Sequence, residues 1–563
     1  MSERLQVIVV GSGVAGMTYA TQLMAHLGAD AVRIRILCKA PVQVSSSFSA
    51  QGGIAAVMRT DDTFEQHVRD TLLTGAGRND PEVVGFVVRE GPALIRSLIG
   101  YGARFDRDED GTLSMAREGG HSAPRVVHHQ DRTGEEIVRV LQDRVLRDPG
   151  IEMVAGQRVL DLLLDGEGPD ARAIGVRSID PRLGGIIDRY AHVIVLATGG
   201  AGRLYATTTN PISATGDGVA MAARAGAVLR DMAFVQFHPT ALDAGAEEQA
   251  FLISEAVRGA GARLLKQDRS SLMEGIHAMG DLAPRHVVAR AIHQELVRTG
   301  AAHVWLDPTP IGAARFAALF PAIAVHCRAL GHRPGIDLLP VRPAAHFMIG
   351  GVRTDAQGNS SMPGLLALGE CASSGMHGAD RLASNSLLEA LVIADRAAAA
   401  TAQLCAAEAC PEDIHAPGDR RVEVDPWAEE RLGELRTMMT REVGIVRTME
   451  GLQRAQQWVG SVAESINERW TRYPGSLPLV DLRDMQVVAA AIIDGAIMEP
   501  QNMGTHYREG TEELKANMRT VEPIPTVPVG TLVHPRMMGV SPVSQPGYDL
   551  AWQALNTPFN RDE

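Results

Sequence analysis

Cysteine is scarce. Cys38, Cys327, Cys371, Cys405 and Cys410 are the five in 563 residues; they form no CxxC pair and are odd in number. Neither a zinc site, an iron–sulfur cluster nor a disulfide framework is expected, and a reducing cytoplasm suits such a chain. Basic charge is also short, with Lys+Arg 54 against Asp+Glu 67 and a net charge of -13. That argues against nucleic acid or an anionic membrane as the main partner, since both reward basic surface. No charge-free apolar run reaches the ~18 residues of a membrane span. The N-terminus reads as a strand rather than a basic, apolar export signal.

What is abundant is glycine, 57 residues, within a chain that is 45% hydrophobic. This suits a compact α/β protein, and the length calls for two to four domains with ample core. The most informative stretch is the first: an apolar run over residues 6–10 turns through Gly11-Ser12-Gly13-Val14-Ala15-Gly16 into a helical pattern over 17–27, and a second strand pattern returns over 32–37. Gly11 allows the tight turn, Gly13 lets backbone N–H groups approach a pyrophosphate, and Gly16 lets helix and strand pack closely. A dinucleotide site is expected. The second strand ends Leu37-Cys38-Lys39, without the acidic residue that usually holds a ribose hydroxyl, so NAD fits poorly.

Next comes Ser45-Ser46-Ser47-Phe48-Ser49-Ala50-Gln51-Gly52-Gly53, small and hydroxyl residues able to wrap a large cofactor. The run resembles the flavin-binding stretch of the succinate dehydrogenase, fumarate reductase and L-aspartate oxidase flavoproteins. The resemblance implies FAD, held by Gly11 to Gly16, Lys39, Ser46 to Gly53, Asp217, Glu370, Ser386 and Leu387. Ser46 stands where the membrane dehydrogenases carry the flavin on a histidine, so the FAD is expected to be non-covalent.

The fold expected is a Rossmann-like FAD-binding domain in two parts, residues 1–236 and 345–410, with an inserted α+β capping domain at 237–344. A charged, proline-bearing linker over 411–424 leads to a C-terminal helical bundle at 425–505, and a proline-rich tail occupies 520–563. Helical periodicity marks 62–75, 81–102, 132–147, 313–330, 386–407, 427–449, 452–470 and 482–498. Strand patterns mark 151–154, 159–164, 173–179 and 189–196, the last ending in Ala197-Thr198-Gly199-Gly200. Asp217 opens another helix, which its side chain could cap.

Cationic and proton-carrying residues recur in separate segments: Gln236 and His238; Ser254, Glu255 and Arg258; Arg285; His346; and Arg381. Singly each has an ordinary explanation, such as a helix ion pair for Glu255 and Arg258. Together they match the dicarboxylate site of this flavoprotein family in order and local spacing. By resemblance Arg381 and His346 grip one carboxylate and His238 and Ser254 the other, with Gln236 alongside. Arg285 resembles the proton-transfer residue, with Glu255 and Arg258 linking it to solvent. Arginine's planar fork suits a carboxylate.

The segment Ala116-Arg117-Glu118-Gly119-Gly120-His121-Ser122 resembles the loop of L-aspartate oxidases, where reductases and dehydrogenases carry an uncharged residue in place of the glutamate. Glu118 could pair with the α-ammonium of aspartate; otherwise it is a surface salt bridge. The implied reaction is hydride transfer from Cα of L-aspartate to FAD, giving iminoaspartate, with oxygen or fumarate as acceptor and quinolinate synthase as functional partner in NAD biosynthesis. The alternatives are a soluble fumarate reductase or succinate dehydrogenase-like enzyme, and a flavoprotein without activity.

Several positions depart from the family pattern. Asp380 replaces an asparagine, and such an anion could compete with substrate for Arg381. His286 replaces an aspartate, Ala260 a glutamate, and residues 499–507 differ from the usual run.

Overall fold

In the computed structural model of the chain, strand Leu5–Val10 is the centre of a five-stranded parallel sheet, ordered Leu365–Ala367, Val193–Leu196, Leu5–Val10, Val32–Cys38, Ile151–Ala155. The central strands are buried almost throughout, which is why they read as continuous apolar runs rather than alternating ones. Helices Val14–Leu27 and Asn385–Thr401 pack against each other beside this sheet. Gly11 has φ +114°, and a Cβ there would lie 2.2 Å from the Ala197 carbonyl oxygen. Only glycine lets the two strand ends approach so closely.

The structure describes residues 4–511 apart from 181–184, 246–248, 405–409, 417–423, 471 and 474. The expected tail at 520–563 and much of the expected linker lie outside the described residues.

A second, antiparallel sheet runs Ile414–Ala416, Gly185–Tyr190, Arg172–Asp180, Arg158–Asp165. Its edge strand falls in the stretch whose composition reads as linker; backbone pairing to Gly185–Tyr190 recruits it. The single strand expected over 189–196 is two. Ala191 N–H donates to the Ile174 carbonyl and His192 N–H to that of Gln6, so the chain changes sheets there.

Strands Val235–Leu242, Leu339–Met348, Val304–Asp307 and Arg263–Leu265 form a four-stranded antiparallel sheet with its own apolar cluster, including Ile253, Leu264, Ile292, Phe316 and Ile323. The helix expected over 313–330 is broken into Ala313–Leu319 and Pro321–Ala329. Pro321 has no N–H to continue the first helix and is well placed to begin the second. The Asp131 carboxylate, from a distant segment, accepts from Ala322 N–H at 3.1 Å and Ile323 N–H at 2.7 Å.

Helices Pro426–Glu442, Met449–Trp470 and Leu477–Met498 pack together. The chain then turns back onto the first sheet's loops. Thr505 gives both its N–H and its hydroxyl to the Ala379 carbonyl, each at 3.0 Å. Fully buried Arg447 donates to the Ala233 carbonyl at 2.8 Å and to His506 Nδ1 at 3.0 Å. This returning strap presses on the loop that carries Asp380 and Arg381. Among the described residues, no helix is long and apolar enough to cross a membrane.

Candidate active site

A cavity of about 680 Å³ opens above the carboxyl ends of the parallel strands. One end is formed by residues 11–15, Lys39, residues 46–53, the Thr198-Gly199-Gly200 turn, Asp217 and Glu370. The helix Val14–Leu27 begins there with no side-chain cap at Gly13, so its first N–H groups and dipole face an anion site. Ser47 Oγ accepts from Val14 N–H at 3.1 Å and ties the small-residue run to the glycine turn. Lys39 Nζ donates to Asp217 Oδ2 at 3.0 Å and to Thr215 Oγ1 at 2.8 Å. A carboxylate from residue 217 thus stands beside the end of the second strand, which has no acidic residue of its own. Although burial works against its charge, Lys39 and Arg158 hold the Asp217 carboxyl below its ordinary value.

Asp217 does not cap its helix: Gly216 takes the capping position and no side-chain bond is made. Asp217 Oδ1, Thr198 Oγ1 and Gln51 Oε1 are buried without a partner among the described residues. A cofactor with an anionic middle and hydroxyl and amide groups on either side fits this donor and acceptor set, as FAD does. Glu370 accepts from Met348 N–H at 2.9 Å, and burial pushes its carboxyl up to about 7. Ser386 and Leu387 reach the cavity from the first turn of Asn385–Thr401. Gly16 does not reach it; a Cβ there would strike the Gly11 carbonyl, so its role is packing.

The other end of the cavity brings together Glu118, His238, Ser254, Glu255, Arg285, His346 and Arg381. Strand Val235–Leu242 is buried at every residue and is bulged around Pro239, a position where a sheet tolerates proline. His238 Nδ1 accepts from Thr240 N–H at 3.2 Å, which places its proton on Nε2, an atom buried without a partner among the described residues. Burial and the nearby Arg285 hold His238 well below the ordinary histidine value, so the ring is neutral. His346 is held the same way, with Nδ1 at 2.7 Å from Thr209 Oγ1. Ser254 caps the helix Glu255–Gly259.

The two arginines share one acceptor. Arg285 Nη1 and Arg381 Nη2 each donate to Gln236 Oε1 at 2.9 Å. Arg285 Nε also donates to Glu255 Oε2 at 2.7 Å, and Arg258 Nη2 donates to Glu255 Oε1 at 2.9 Å. Despite burial, these two guanidiniums hold the Glu255 carboxyl at about 2. Arg381 lies 4.4 Å above the Phe347 ring centre, and its Nε has no partner among the described residues. Burial and Arg285 push it down to about 9, the signature of positive charge arranged for an anion. Gln236 and Arg258 do not line the cavity; they stand behind the residues that do. Asp380 does not compete for the Arg381 side chain, because its carboxylate takes Gln236 and His286 instead.

Glu118 is 2% exposed, not a surface salt bridge. Its Oε2 accepts from Ser384 Oγ at 2.5 Å, and no cation lies within ion-pair distance among the described residues. Burial, reinforced by Glu255, raises its carboxyl above the ordinary value. Ser384 is a residue that sequence reasoning passes over. It sits at φ +61°, joining Glu118 to Gly53 N–H at 3.2 Å, and only that strained backbone signals its role. The loop behind Glu118 is clamped by fully buried Arg125, which grips Asp62 with two bonds at 2.9 Å and Asp70 with one at 2.5 Å. Phe251 stacked on His326 at 3.6 Å adds a further wall that no local pattern announces.

The family model for an FAD binding domain matches residues 6–387. The chain is 41% identical over 518 residues to the L-aspartate oxidase of Streptomyces coelicolor, covering 89% of this chain and 88% of that one. It is 38% identical to the L-aspartate oxidase of Pseudomonas aeruginosa, covering 94% and 99%. Among solved structures, a quinol fumarate reductase of E. coli superposes with a TM-score of 0.79 at 29% identity, covering 92% of this chain and 94% of that one. With its glycine turn, its paired arginines and its buried, unpaired glutamate all falling within the matched length, the chain belongs to the L-aspartate oxidase family of FAD-binding flavoproteins.

Proposed function

We propose that the protein oxidises L-aspartate to iminoaspartate, with FAD as cofactor and oxygen or fumarate as electron acceptor. Bound FAD supplies the hydride acceptor for the Cα–H bond. The observation that carries the substrate assignment is Glu118, a buried carboxylate that accepts from a hydroxyl and has no ion-pair partner among the described residues. In a site otherwise lined by arginine and histidine, it is the group that an α-ammonium needs and that succinate would leave unpaired.

Arg381 and His346 hold one carboxylate of the substrate, while His238, through Nε2–H, and the Ser254 hydroxyl hold the other. With both ends and the ammonium fixed, Cα is aimed rather than merely bound, which is where most of the rate enhancement arises. Arg285, fixed between Glu255 and Gln236, holds or passes a proton at the substrate carbon when fumarate is the acceptor. Arg258 backs Glu255 and continues that line outward.

We assign the same division of labour to the chain: residues 1–236 and 345–410 hold FAD, 237–344 cap the substrate and 425–505 form a helical domain packed on the FAD-binding part. The cap's separate sheet and apolar cluster support this. A serine at position 46 rather than a histidine supports non-covalent FAD. Among the described residues Cys38, Cys327, Cys371 and Cys410 are free thiols, which supports a reducing cytoplasm. Iminoaspartate hydrolyses readily, which favours quinolinate synthase as the enzyme that consumes it.

Anaerobic titration of the FAD-loaded protein with L-aspartate and, separately, succinate tests the reading through the oxidised flavin band. Bleaching by L-aspartate alone is expected. Bleaching by succinate alone would move the protein to the fumarate reductase and succinate dehydrogenase branch, whose carboxylate-binding arginines it shares.

A further inference from the structure

We propose that Asp380 and His286 act as one positioning pair for the substrate-binding arginines, through Gln236. Gln236 is fully buried, and its amide has a single satisfactory orientation. Its Nε2 faces two acceptors, Asp380 Oδ1 at 2.6 Å and the Arg381 carbonyl at 2.8 Å, and its Oε1 faces the two guanidiniums. Turning the amide over would set its NH₂ against Arg285 and Arg381 and its oxygen against a carboxylate. Asp380, together with the Arg381 carbonyl and the two guanidiniums, fixes which way Gln236 points, and Gln236 bridges the two arginines.

Asp380 is itself 0% exposed and needs a second partner, since a buried carboxylate satisfied on one oxygen is costly. His286 Nδ1 supplies it at 2.6 Å, from a ring that keeps a 20% exposed edge toward solvent. Each member of the pair is the chain neighbour of one arginine: His286 follows Arg285 at the start of helix Arg285–Thr299, and Asp380 precedes Arg381 on the loop held by Thr505. The contact thus ties together the two backbones that present the arginines. Neither side chain lines the cavity, so neither is a catalytic residue.

The chemistry requires one carboxylate in this pair and does not require it at position 380. An amide at 380 can give its oxygen to Gln236 and its NH₂ to a carboxylate at 286. Two carboxylates facing each other cannot satisfy both demands. The inference rests on the proposed function for its substrate, so the test is read in two ways: steady-state oxidation of L-aspartate, and binding of succinate as a perturbation of the flavin band, which needs no turnover.

The variants are Asp380→Asn, His286→Asp and the double exchange. Asp380→Asn is expected to weaken binding by about threefold and His286→Asp by about thirtyfold, with the double variant returning to within about threefold of the natural protein. The effect should appear in KM and in the succinate Kd more than in kcat, with FAD content unchanged. Penalties that simply add in both readouts would overturn the pairing. A double variant that regains thermal stability but not dicarboxylate binding would overturn it too, since that marks a purely structural contact. If the natural protein failed to oxidise L-aspartate while the succinate cycle still showed recovery, the proposed function would fall and the positioning pair would stand.

Discussion

At the glycine-rich end of the cavity the chain offers mainly backbone: two strand ends, the start of one helix and a run of serines and glycines from the first 53 residues, closed by the Thr198-Gly199-Gly200 turn, Asp217 and Glu370. At the other end it offers side chains from Glu118, His238, Arg285, His346 and Arg381, five points spread over 264 residues of sequence and held by a buried web of charge. The first kind of wall resists change because steric limits define it. The second is adjustable, since one charge gained or lost alters what it accepts. Within it, Glu255 and Glu118 show the range available to one residue type: two arginines hold the former at about 2, whereas the latter, hydrogen-bonded to a serine, is raised.

Removing the strongest grip would sharpen this contrast most. Arg381→Lys keeps the charge but loses the fork, and kcat/KM for L-aspartate should fall by about a thousandfold with FAD content unchanged. Steady-state kinetics on protein with a normal flavin spectrum checks this. At the other end, Gly11→Ala drives a methyl group to 2.2 Å from the Ala197 carbonyl at a positive φ. FAD retained through gel filtration should drop by at least about tenfold. If Gly11→Ala kept its FAD and lost only substrate binding, the division between the two ends would be wrong.

Glu118→Gln should raise KM for L-aspartate by about ten- to a hundredfold and leave succinate binding unchanged or tighter. An unchanged KM would remove the ammonium-pairing role. The pH dependence follows with a definite sign. Glu118 must be ionised to bind the ammonium, and burial raises its pKa, so it protonates at a higher pH than an ordinary glutamate. Glu255, held at about 2, stays charged through that window. As pH falls, KM for L-aspartate should therefore rise, by at most about tenfold per pH unit, and this limb should be absent in Glu118→Gln. The smallest effect is expected at the strap: Thr505→Ala removes one of two bonds to Ala379 and should cost about 1 kcal/mol of stability in denaturant unfolding, with kcat/KM altered only slightly.

What could be read from the chain alone followed the same division. The strand, turn and helix over residues 5–27 are local, and local sterics dictate glycine there, so the glycine turn was legible, whereas Asp217, Glu370, Ser386 and Leu387 at the same end came only from the family pattern. The residues of the substrate end were legible only as a family pattern, and their arrangement was not. Asp380 and His286 looked like two independent departures because 94 residues separate them, yet they touch. Lys39 and Asp217 are joined across 178 residues, and Gln236 looked like a ligand for substrate when it stands behind the arginines. The strand Ile414–Ala416 was hidden for the same reason: pairing with Gly185–Tyr190 outweighs a composition that favours a loop.

The strap from Thr505 to Ala379 also sets an order of assembly. The parts of the cofactor end that come from the first 53 residues leave the ribosome early, whereas the loop bearing Asp380 and Arg381 gains its last support only once residue 505 has been made. Both ends of the cavity wait for residues 370–387, and a chain released short of the strap would carry the loop bearing Arg381 without its last support.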